Sequence, residues 1–300
     1  MARRKAQAPL VHLIDGPVWV FRAYYSLPSM TSPEGLPTNA AYGYASTLLR
    51  YLAVHQPTHI AVAFDFAEES FRNEEFPEYK AQRDAAPDDL EPQWEMCMEI
   101  TRALGIPVSE IEGYEADDVI ATWTTQALAR GANARIVTTD KDMAQLVRED
   151  GRATLWDMKH EREVGADGVR EKFGVDPDQI TDYLGLIGDA VDNLPGVPGV
   201  GPKGASAALG AFGRIEDIPS DPARWHGLNL RGAKRVAALV DEYRELALKT
   251  RGLATLVRNV PGVPGDLRGL RWKLHDHTVA EALFESLGWD RIAKRIPRPR

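Results

Sequence analysis

The amino-acid sequence predicts an α/β fold, in which a mostly parallel central sheet flanked by helices is followed by a helical C-terminal region. Three short apolar runs at residues 11–14, 59–64 and 135–139 are rich in β-branched and other apolar residues. Runs of this length followed by helical periodicity are typical of buried parallel strands. From about residue 177 onward the apolar spacing is mainly that of helices.

The remaining elements follow in chain order. Residues 1–9 are predicted to form a disordered basic leader, and apolar spacing predicts helices over about 39–54 and 88–104. Residues 152–156 and 162–164 are interpreted as an antiparallel pair at the edge of the sheet.

One stretch, residues 66–87, carries many charges and has little apolar periodicity. It is too long for an ordinary connection in an α/β unit, so we predict a mobile lid or arch with few apolar anchors. The chain is then expected to comprise an α/β core over 10–176 that includes this arch, a helical region over 177–290 and a basic tail over 291–300.

The three predicted strands share one feature, which is an aspartate at the end of the run. These residues are Asp15, Asp65 and Asp140. Ligands of open α/β sheets bind outside the carboxyl ends of the strands, so we expect the three carboxylates to gather at one edge. Their mutual repulsion is costly unless cations lie between them. The strand pattern therefore predicts a metal site.

Further carboxylates occur in short acidic clusters along the chain. They are Glu115, Asp117, Asp118, Asp142, Asp189 and Asp192. Glu115 and Asp118 share a helix face, and we expect Asp189 and Asp192 to lie one helical turn apart. Oxygen ligands without neighbouring Cys or His favour Mg²⁺ or Mn²⁺ over Zn²⁺. For any one of these residues, helix capping or solvation remains an alternative.

Composition limits the classes of protein that the chain fits. The single cysteine, Cys97, permits no intrachain disulfide, which predicts a reducing, cytoplasmic environment. No apolar run is long enough to span a membrane, so no membrane partner is expected. The formal charge is −8. The nine candidate ligands account for all of that acidity, so it does not argue against a nucleic-acid partner.

A glycine-rich segment begins at Asn193 and leads into an alanine-rich helix at about Lys203. Closely spaced glycines such as Gly199 and Gly201 at a helix N-terminus offer backbone N–H groups to a phosphate. The segment is neither a P-loop nor a dinucleotide fingerprint in its usual context. A helix–hairpin–helix turn that grips a DNA backbone fits better, although a simple interhelical loop remains an alternative.

Taken together, the motifs resemble those of the bacterial 5′-3′ exonuclease and flap endonuclease family, the nuclease found as the N-terminal domain of DNA polymerase I. The resemblance covers roughly residues 10–290 and suggests a free-standing member. Its motifs are Leu13-Ile-Asp-Gly16, Ala63-Phe-Asp65, Ser70-Phe-Arg-Asn-Glu74, Tyr79-Lys-Ala-Gln-Arg83, Gly113-Tyr-Glu-Ala-Asp-Asp118, Thr139-Asp-Lys-Asp142 and the segment from Gly188 to Gly201. It implies a PIN-like (resolvase-like) core and a helix-hairpin-helix-type (H3TH) DNA-binding motif.

The resemblance also implies a role for each candidate residue. Asp15, Asp65, Glu115 and Asp117 would form a first metal cluster, and Asp140, Asp142 and Asp192 a second. Asp118 and Asp189 would be nearby ligands or would orient metal-bound water. Lys80 and Arg83 would be catalytic cations facing the scissile phosphate, and Arg72, Gly199, Gly201 and Lys203 would contact DNA. A monovalent cation such as K⁺ would bind at the H3TH loop.

The expected function is that of a structure-specific 5′ nuclease in DNA replication and repair, acting through two or more Mg²⁺ or Mn²⁺ ions. The expected partners are 5′ flaps, nicks and branched or 5′-ended duplex DNA, together with RNA primer strands, and the protein is expected to be a monomer. Two alternatives stay open, a catalytically idle DNA-junction binding protein and a PIN-like ribonuclease. The sequence does not choose between exonuclease and flap endonuclease preference.

Overall fold

The computed structural model describes residues 8–228, 230–274 and 276–298. The predicted basic leader over 1–9 lies outside the described residues except for its last two positions. The final two residues of the predicted basic tail lie outside them as well. Within the described part of the chain, no helix is long and apolar enough to cross a membrane.

Strands and helices alternate through the first half of the described chain, and helices dominate the second half. The strands are β1 (Leu10–Asp15), β2 (His59–Ala63), β3 (Val108–Ser109), β4 (Asn133–Val137), β5 (Ala153–Asp157), β6 (Arg162–Val164), β7 (Gly188–Asp189) and β8 (Leu194–Pro195). The α-helices are α1 (Gly16–Ser26), α2 (Asn39–His55), α3 (Phe71–Glu75), α4 (Glu91–Ala103), α5 (Ala116–Ala129), α6 (Ala166–Phe173), α7 (Ile180–Ile187), α8 (Pro202–Phe212), α9 (Ala233–Glu242), α10 (Arg244–Ala254), α11 (Thr278–Ser286) and α12 (Asp290–Ala293).

Contacts divide the described residues between two compact units. Unit 1 comprises the described residues within Met1–Glu68, Asp84–Thr139 and Arg258–Arg300. Unit 2 comprises those within Glu69–Arg83 and Asp140–Val257. The expected domain boundary at residue 176 separates an α/β region from a helical region, whereas these two units are defined by contacts. The boundary at residue 176 therefore remains a proposal.

Unit 1 is built on parallel strands in the order β3-β2-β1-β4. From Val11 onward every residue of β1 is buried, because neighbouring strands cover both edges of β1 and helices such as α5 pack on the sheet. The strand β3 follows Pro107 and is so short that no sequence pattern predicted it. The predicted α/β fold with a mostly parallel sheet is confirmed.

Unit 2 combines the antiparallel pair β5–β6, which confirms the predicted edge pair, with helices α6 to α10. Helix α6 precedes the predicted start of the helical region, so helical structure begins earlier than residue 177. The core of unit 2 contains Leu184, Leu186, Leu209 and the fully buried Trp225. The sequence therefore predicted the helical character of this region but not its first helix.

One prediction about unit 2 is wrong, since Asp189 and Asp192 do not lie on a helix. Gly188 adopts a positive φ of 73° and ends α7, with its N–H bonded to the carbonyl of Leu184. The next residues form the β7–β8 hairpin, in which Asp189 pairs with Leu194. Asp189 and Asp192 are therefore close in space because of this turn and not because of helical spacing.

Candidate functional site

Two of the candidate ligands lie at the carboxyl edge of the sheet in unit 1. Asp15 ends β1 and pairs in register with Ala63, which ends β2. Asp65 follows two residues after Ala63 and therefore leaves the sheet at the same edge. Asp140 follows three residues after Val137, the last residue of β4, and belongs to unit 2.

Asp15 is buried, with only 2% of its surface exposed, and its carboxylate accepts hydrogen bonds from neighbouring groups. Its Oδ1 accepts from the backbone N–H of Val18 at 3.2 Å, which caps α1. Its Oδ2 accepts from the hydroxyl of Thr138 at 2.6 Å. Asp15 therefore supports the local fold as well as facing the sheet edge.

The N-terminus of α5 lies against Asp65. The backbone N–H of Ala116, the first residue of α5, donates to Asp65 Oδ1 at 2.7 Å. Glu115 and Asp117 flank Ala116, so the structure brings both near Asp65, and all three acidic side chains are partly exposed. The positive end of a helix favours negative charge at this point.

Asp118 has a different environment from its neighbours, because it is fully buried. Its Oδ2 accepts from the backbone N–H of Glu115 at 3.3 Å, and the Glu115 side chain accepts in return from the third residue of α5. This reciprocal capping box fixes the start of α5. The capping alternative therefore applies to Asp118, which orients Glu115.

A second group of carboxylates lies in unit 2. Asp142, Asp189 and Asp192 each offer an oxygen within 4.8 Å of the others. Asp140 is next to them, since its Oδ1 accepts from the backbone N–H of Asp142 at 2.8 Å. Among the described residues, Asp142 Oδ1 is buried without a hydrogen-bond partner, which is costly unless a cation approaches it. The donor set fits a divalent metal ion.

Electrostatics in this group favour a bound cation. Burial, with the charge of Asp140 as the next cause, raises the pKa of Asp142 to about 8. Burial also raises the pKa of Asp140, with the charge of Asp192 adding to the effect. Carboxylates in this position ionise reluctantly when no compensating charge is present. A divalent ion would supply that charge.

Several other side chains of unit 2 contact the second group. Arg83 donates to Asp192 Oδ1 at 2.6 Å, and the hydroxyl of buried Tyr79 donates to Asp192 Oδ2 at 3.2 Å. The backbone N–H of Lys80 donates to the carbonyl of Asp192 at 3.0 Å, and its ammonium lies 4.8 Å from the centre of the Tyr79 ring. The structure thus places both predicted catalytic cations beside the second carboxylate group.

Lys141 also contacts this group, and sequence reasoning did not select it. Its ammonium lies 2.5 Å from Asp189 Oδ2 and 3.7 Å from Asp142 Oδ1. The only sequence signal was its position between Asp140 and Asp142.

The structure corrects the predictions for residues 66–87. Glu69–Arg83 packs within unit 2, where Tyr79 and Arg72 are 3% and 2% exposed. Arg72 donates from Nε to the carbonyl of Leu253 at 2.8 Å and from a terminal nitrogen to that of Thr255 at 3.4 Å. Its guanidinium is therefore committed to backbone carbonyls and is not placed to contact DNA. This part of the segment has buried anchors that its composition did not reveal.

Replacing Arg72 is expected to destabilise the protein. Arg72→Met should lower the free energy of unfolding by about 1–3 kcal/mol, because the carbonyl of Leu253 loses its donor inside the protein. Denaturant titration followed by circular dichroism measures this change. The matched control is Arg148→Met, since Arg148 is exposed. Equal unfolding midpoints for the two variants would show that the buried bonds of Arg72 contribute nothing.

The glycine-rich segment forms a turn between α7 and α8. Val197 and Val200 are buried and anchor it, while Gly199, Gly201 and Lys203 are exposed. Gly199 has a φ of +81°, a conformation that favours glycine, and Gly201 is the N-cap of α8. The exposed face of this turn presents backbone at a helix N-terminus, as phosphate binding requires.

A second basic residue lies beside this turn. A Cβ built on Gly199 would lie 3.3 Å from the guanidinium of Arg235, a residue of α9. Sequence reasoning missed Arg235 because it is far from the glycines along the chain. The sequence signal that could have identified Arg235 is its position next to a second basic residue, Lys234.

Three comparisons with known proteins relate this chain to others. Residues 10–174 match the family model described as 5′-3′ exonuclease, N-terminal resolvase-like domain, and residues 175–278 match the 5′-3′ exonuclease, C-terminal SAM fold. The chain is 44% identical over 256 residues to a DNA polymerase I of Pseudomonas aeruginosa, covering 85% of the chain and 28% of that protein. It is 36% identical over 289 residues to that of Bacillus caldotenax, covering 96% of the chain and 32% of that protein. The chain thus spans about a third of the length of these relatives.

Solved structures resemble the fold across almost its whole length. The zinc-bound 5′-exonuclease of bacteriophage T5 superposes with a TM-score of 0.65 at 22% identity, covering 96% of this chain and 98% of that one. The catalytic core of Rad2 in complex with DNA superposes with a TM-score of 0.62 at 16% identity, covering 98% of this chain and 93% of that one. At these identities the likeness establishes the shared fold.

Proposed function

Because this chain belongs to the 5′-3′ exonuclease family, we propose that it is a structure-specific 5′ nuclease that hydrolyses phosphodiester bonds of branched or nicked DNA. The observation that carries the proposal is the group formed by Asp142, Asp189 and Asp192, whose oxygens lie within 4.8 Å of one another. The Oδ1 of Asp142 is buried without a hydrogen-bond partner in the described part of the chain, which supports a metal-binding role for this group.

The ligand chemistry supports Mg²⁺ or Mn²⁺ as the physiological ions, since every candidate donor is an oxygen. When bound, such ions activate the attacking water and stabilise the departing 3′ oxygen. We assign the first site to Asp15, Asp65, Glu115 and Asp117, and the second to Asp140, Asp142 and Asp192. Asp118 and Asp189 would be nearby ligands or would orient metal-bound water. A monovalent cation such as K⁺ at the H3TH loop remains part of the proposal through the family resemblance.

The remaining residues of the proposed site bind and orient the nucleic acid. Lys80 is partly exposed and Arg83 is exposed beside Asp192, and their positive charges would stabilise the charge that develops on the scissile phosphate. The turn at Gly199 and Gly201, with Lys203, would hold duplex phosphates through backbone N–H groups. Contacts of this kind position the duplex without reading its sequence.

The proposed partner is DNA with a 5′ end or flap. The T5 flap endonuclease was solved with DNA and metal ions, and human GEN1 was solved with Holliday junction DNA. RNA primer strands are a further proposed substrate, and we propose a monomer acting in the cytoplasm during DNA replication and repair.

Replacing Lys203 is expected to weaken binding to duplex-bearing substrates more than to single strands. Lys203→Ala removes a phosphate contact, so affinity should fall for all duplex sequences and the salt dependence should become shallower by about one contact. Fluorescence anisotropy at several salt concentrations measures both effects. Lys172→Ala, another exposed lysine of unit 2, is the matched control. Equal weakening for both substrate types would leave the turn a structural loop.

The decisive test of the proposed function is cleavage of end-labelled DNA. Flapped, nicked and single-stranded substrates are each incubated with Mg²⁺, with Mn²⁺ and with a chelator. Metal-dependent cleavage near the 5′ end of the flapped or nicked DNA supports the proposal, and the pattern separates exonuclease from flap endonuclease preference. Binding of junctions without cleavage would favour the idle DNA-binding alternative. Cleavage restricted to RNA would favour the ribonuclease.

A further inference from the structure

Two phenylalanines flank Asp65, and their surroundings differ. Phe64 is fully buried, and its ring centre lies 6.1 Å from that of Tyr44 and 5.6 Å from that of Trp94. Phe66 directly follows Asp65 and leaves 52% of its surface exposed. Phenylalanine is among the residue types most often buried completely, and here only Phe64 is used in that way. The ring of Phe66 therefore remains available to a ligand.

The position of Phe66 carries the argument, since isolated exposed apolar side chains are common on protein surfaces. Asp65 belongs to the first metal site that we assign, and its Oδ1 accepts from the backbone N–H of Ala116 at the start of α5. Consecutive Cα atoms lie about 3.8 Å apart, so Phe66 borders this site directly. A phosphate held there would bring the base of an adjoining nucleotide within reach of the ring.

The charge of this part of unit 1 favours a neutral contact with the substrate. The assigned ligands Asp65, Glu115 and Asp117 are acidic, and the exposed Glu68 adds a further negative charge two residues after Phe66. A cationic side chain at the position of Phe66 would repel the metal ions that these carboxylates attract. An aromatic ring attracts a base through its π face and does not oppose metal binding. The position therefore suits contact with a base rather than with a phosphate.

We propose that Phe66 stacks on an unpaired base of the DNA substrate, next to the scissile phosphate at the first metal site. The inference rests on the proposed function, because it identifies a substrate contact of the same site. Stacking of this kind tolerates every base, since each has a π face. A base within a duplex is already stacked and must be extruded before it can meet the ring. Phe66 therefore favours substrates with an unpaired 5′ end.

The first test measures the affinity for a flapped DNA by fluorescence anisotropy in Ca²⁺, so that the readout does not depend on cleavage. Phe66→Ala should weaken binding about tenfold, the size expected for the loss of one stacked base. Phe66→Tyr keeps an aromatic face and should stay within about threefold of the parent. The salt dependence of binding should not change, because stacking releases no counterions. Loss of a phosphate contact, as in Lys203→Ala, would instead make it shallower.

The second test removes the base instead of the ring. Flapped substrates are prepared in which one unpaired nucleotide at a time lacks its base. At the contacted position, this change should weaken binding by the parent about tenfold and by Phe66→Ala less than about threefold, because both changes remove the same contact. Equal sensitivity of the two proteins at every position would overturn the inference. A changed salt dependence in Phe66→Ala would overturn it as well, since phosphate contacts would then be involved.

Two further variants control for folding and for general loss of apolar surface. Phe66→Leu retains an apolar side chain without an aromatic ring, so the same weakening is expected, and parent-like affinity would contradict stacking. Val54→Ala truncates an apolar side chain of unit 1 that is 68% exposed. Val54 lies in the last turn of α2, where the ring of His55 lies 6.1 Å from that of His12 in the first half of β1. It is therefore distant from the carboxyl end of β1, and its loss should leave affinity unchanged.

The same measurements separate failure of this inference from failure of the proposed function. Normal flap binding and metal-dependent cleavage by the parent, with no change of affinity in Phe66→Ala, would defeat only the role of Phe66. Flap binding that depends on Phe66, in a parent that cleaves none of the substrates, would defeat the nuclease and keep the stacking contact. Absence of both binding and cleavage in the parent would defeat both.

Discussion

Asp65→Asn is expected to lower the single-turnover cleavage rate by about a thousandfold or more while the protein remains folded. Loss of a carboxylate ligand weakens the metal ion that activates water, and several kcal/mol of transition-state stabilisation correspond to a rate loss of this size. Asp65 is partly exposed, and its Oδ1 accepts a hydrogen bond from the backbone N–H of Ala116. The amide oxygen of asparagine can still accept that bond, so α5 should keep its position.

Asp65 is a better target than Asp15 for this experiment. Asp15 caps α1 and accepts from Thr138, so its replacement would disturb folding as well as metal binding. The matched control is Glu112→Gln, which removes an exposed negative charge from the loop before α5. Melting temperature and single-turnover rate are measured for both variants. A well-folded Asp65→Asn protein with near-normal rate would falsify the assignment of the first site.

The second large effect is expected at the two cations beside Asp192. Lys80→Ala and Arg83→Ala should each lower the single-turnover rate about a hundredfold, while affinity for a flapped substrate changes by no more than about threefold. Charge that develops on the phosphate in the transition state gains more from a nearby cation than the ground state does. The rate measured at saturating protein and the dissociation constant in Ca²⁺ separate these effects.

The controls for this pair follow from the contacts of the same segment. Gln82 is exposed between the two cations and donates to the backbone carbonyls of Ala190 and Val191. Gln82→Ala therefore tests the position of the segment without removing charge. Arg83→Lys tests whether charge alone suffices at the position that binds Asp192. Full rates for both alanine variants at Lys80 and Arg83 would exclude them as catalytic cations.

The sequence by itself determined the strands β1, β2 and β4 and the edge at which Asp15 and Asp65 lie. Each of these strands is a short apolar run, and parallel strands covered by helices leave a continuous hydrophobic pattern that can be read locally. The following aspartates mark the carboxyl end because strand direction fixes that edge. The start of α5 and the turn around Gly199 could also be predicted from local sequence, because helix caps and glycine turns depend on residues close in the chain.

The segment from 66 to 87 could not be read in the same way. Its charges predicted solvent exposure, yet Arg72 bonds to the carbonyl of Leu253, 181 residues away. Likewise, Tyr79 reaches Asp192 across 113 residues. A buried arginine and an exposed one have the same local sequence signal, because burial depends on what the distant chain supplies as a partner.

Only the tertiary structure decided which partner each charge of the second group meets. The sequence supplied Lys141, Asp142, Asp189 and Asp192, and helical spacing wrongly explained the closeness of the last two. The turn after Gly188 brings them together instead, and the fold places the ammonium of Lys141 against Asp189. Residue types and local geometry are encoded within a few positions, whereas the pairing of charges across a folded chain depends on long-range packing that no local pattern specifies.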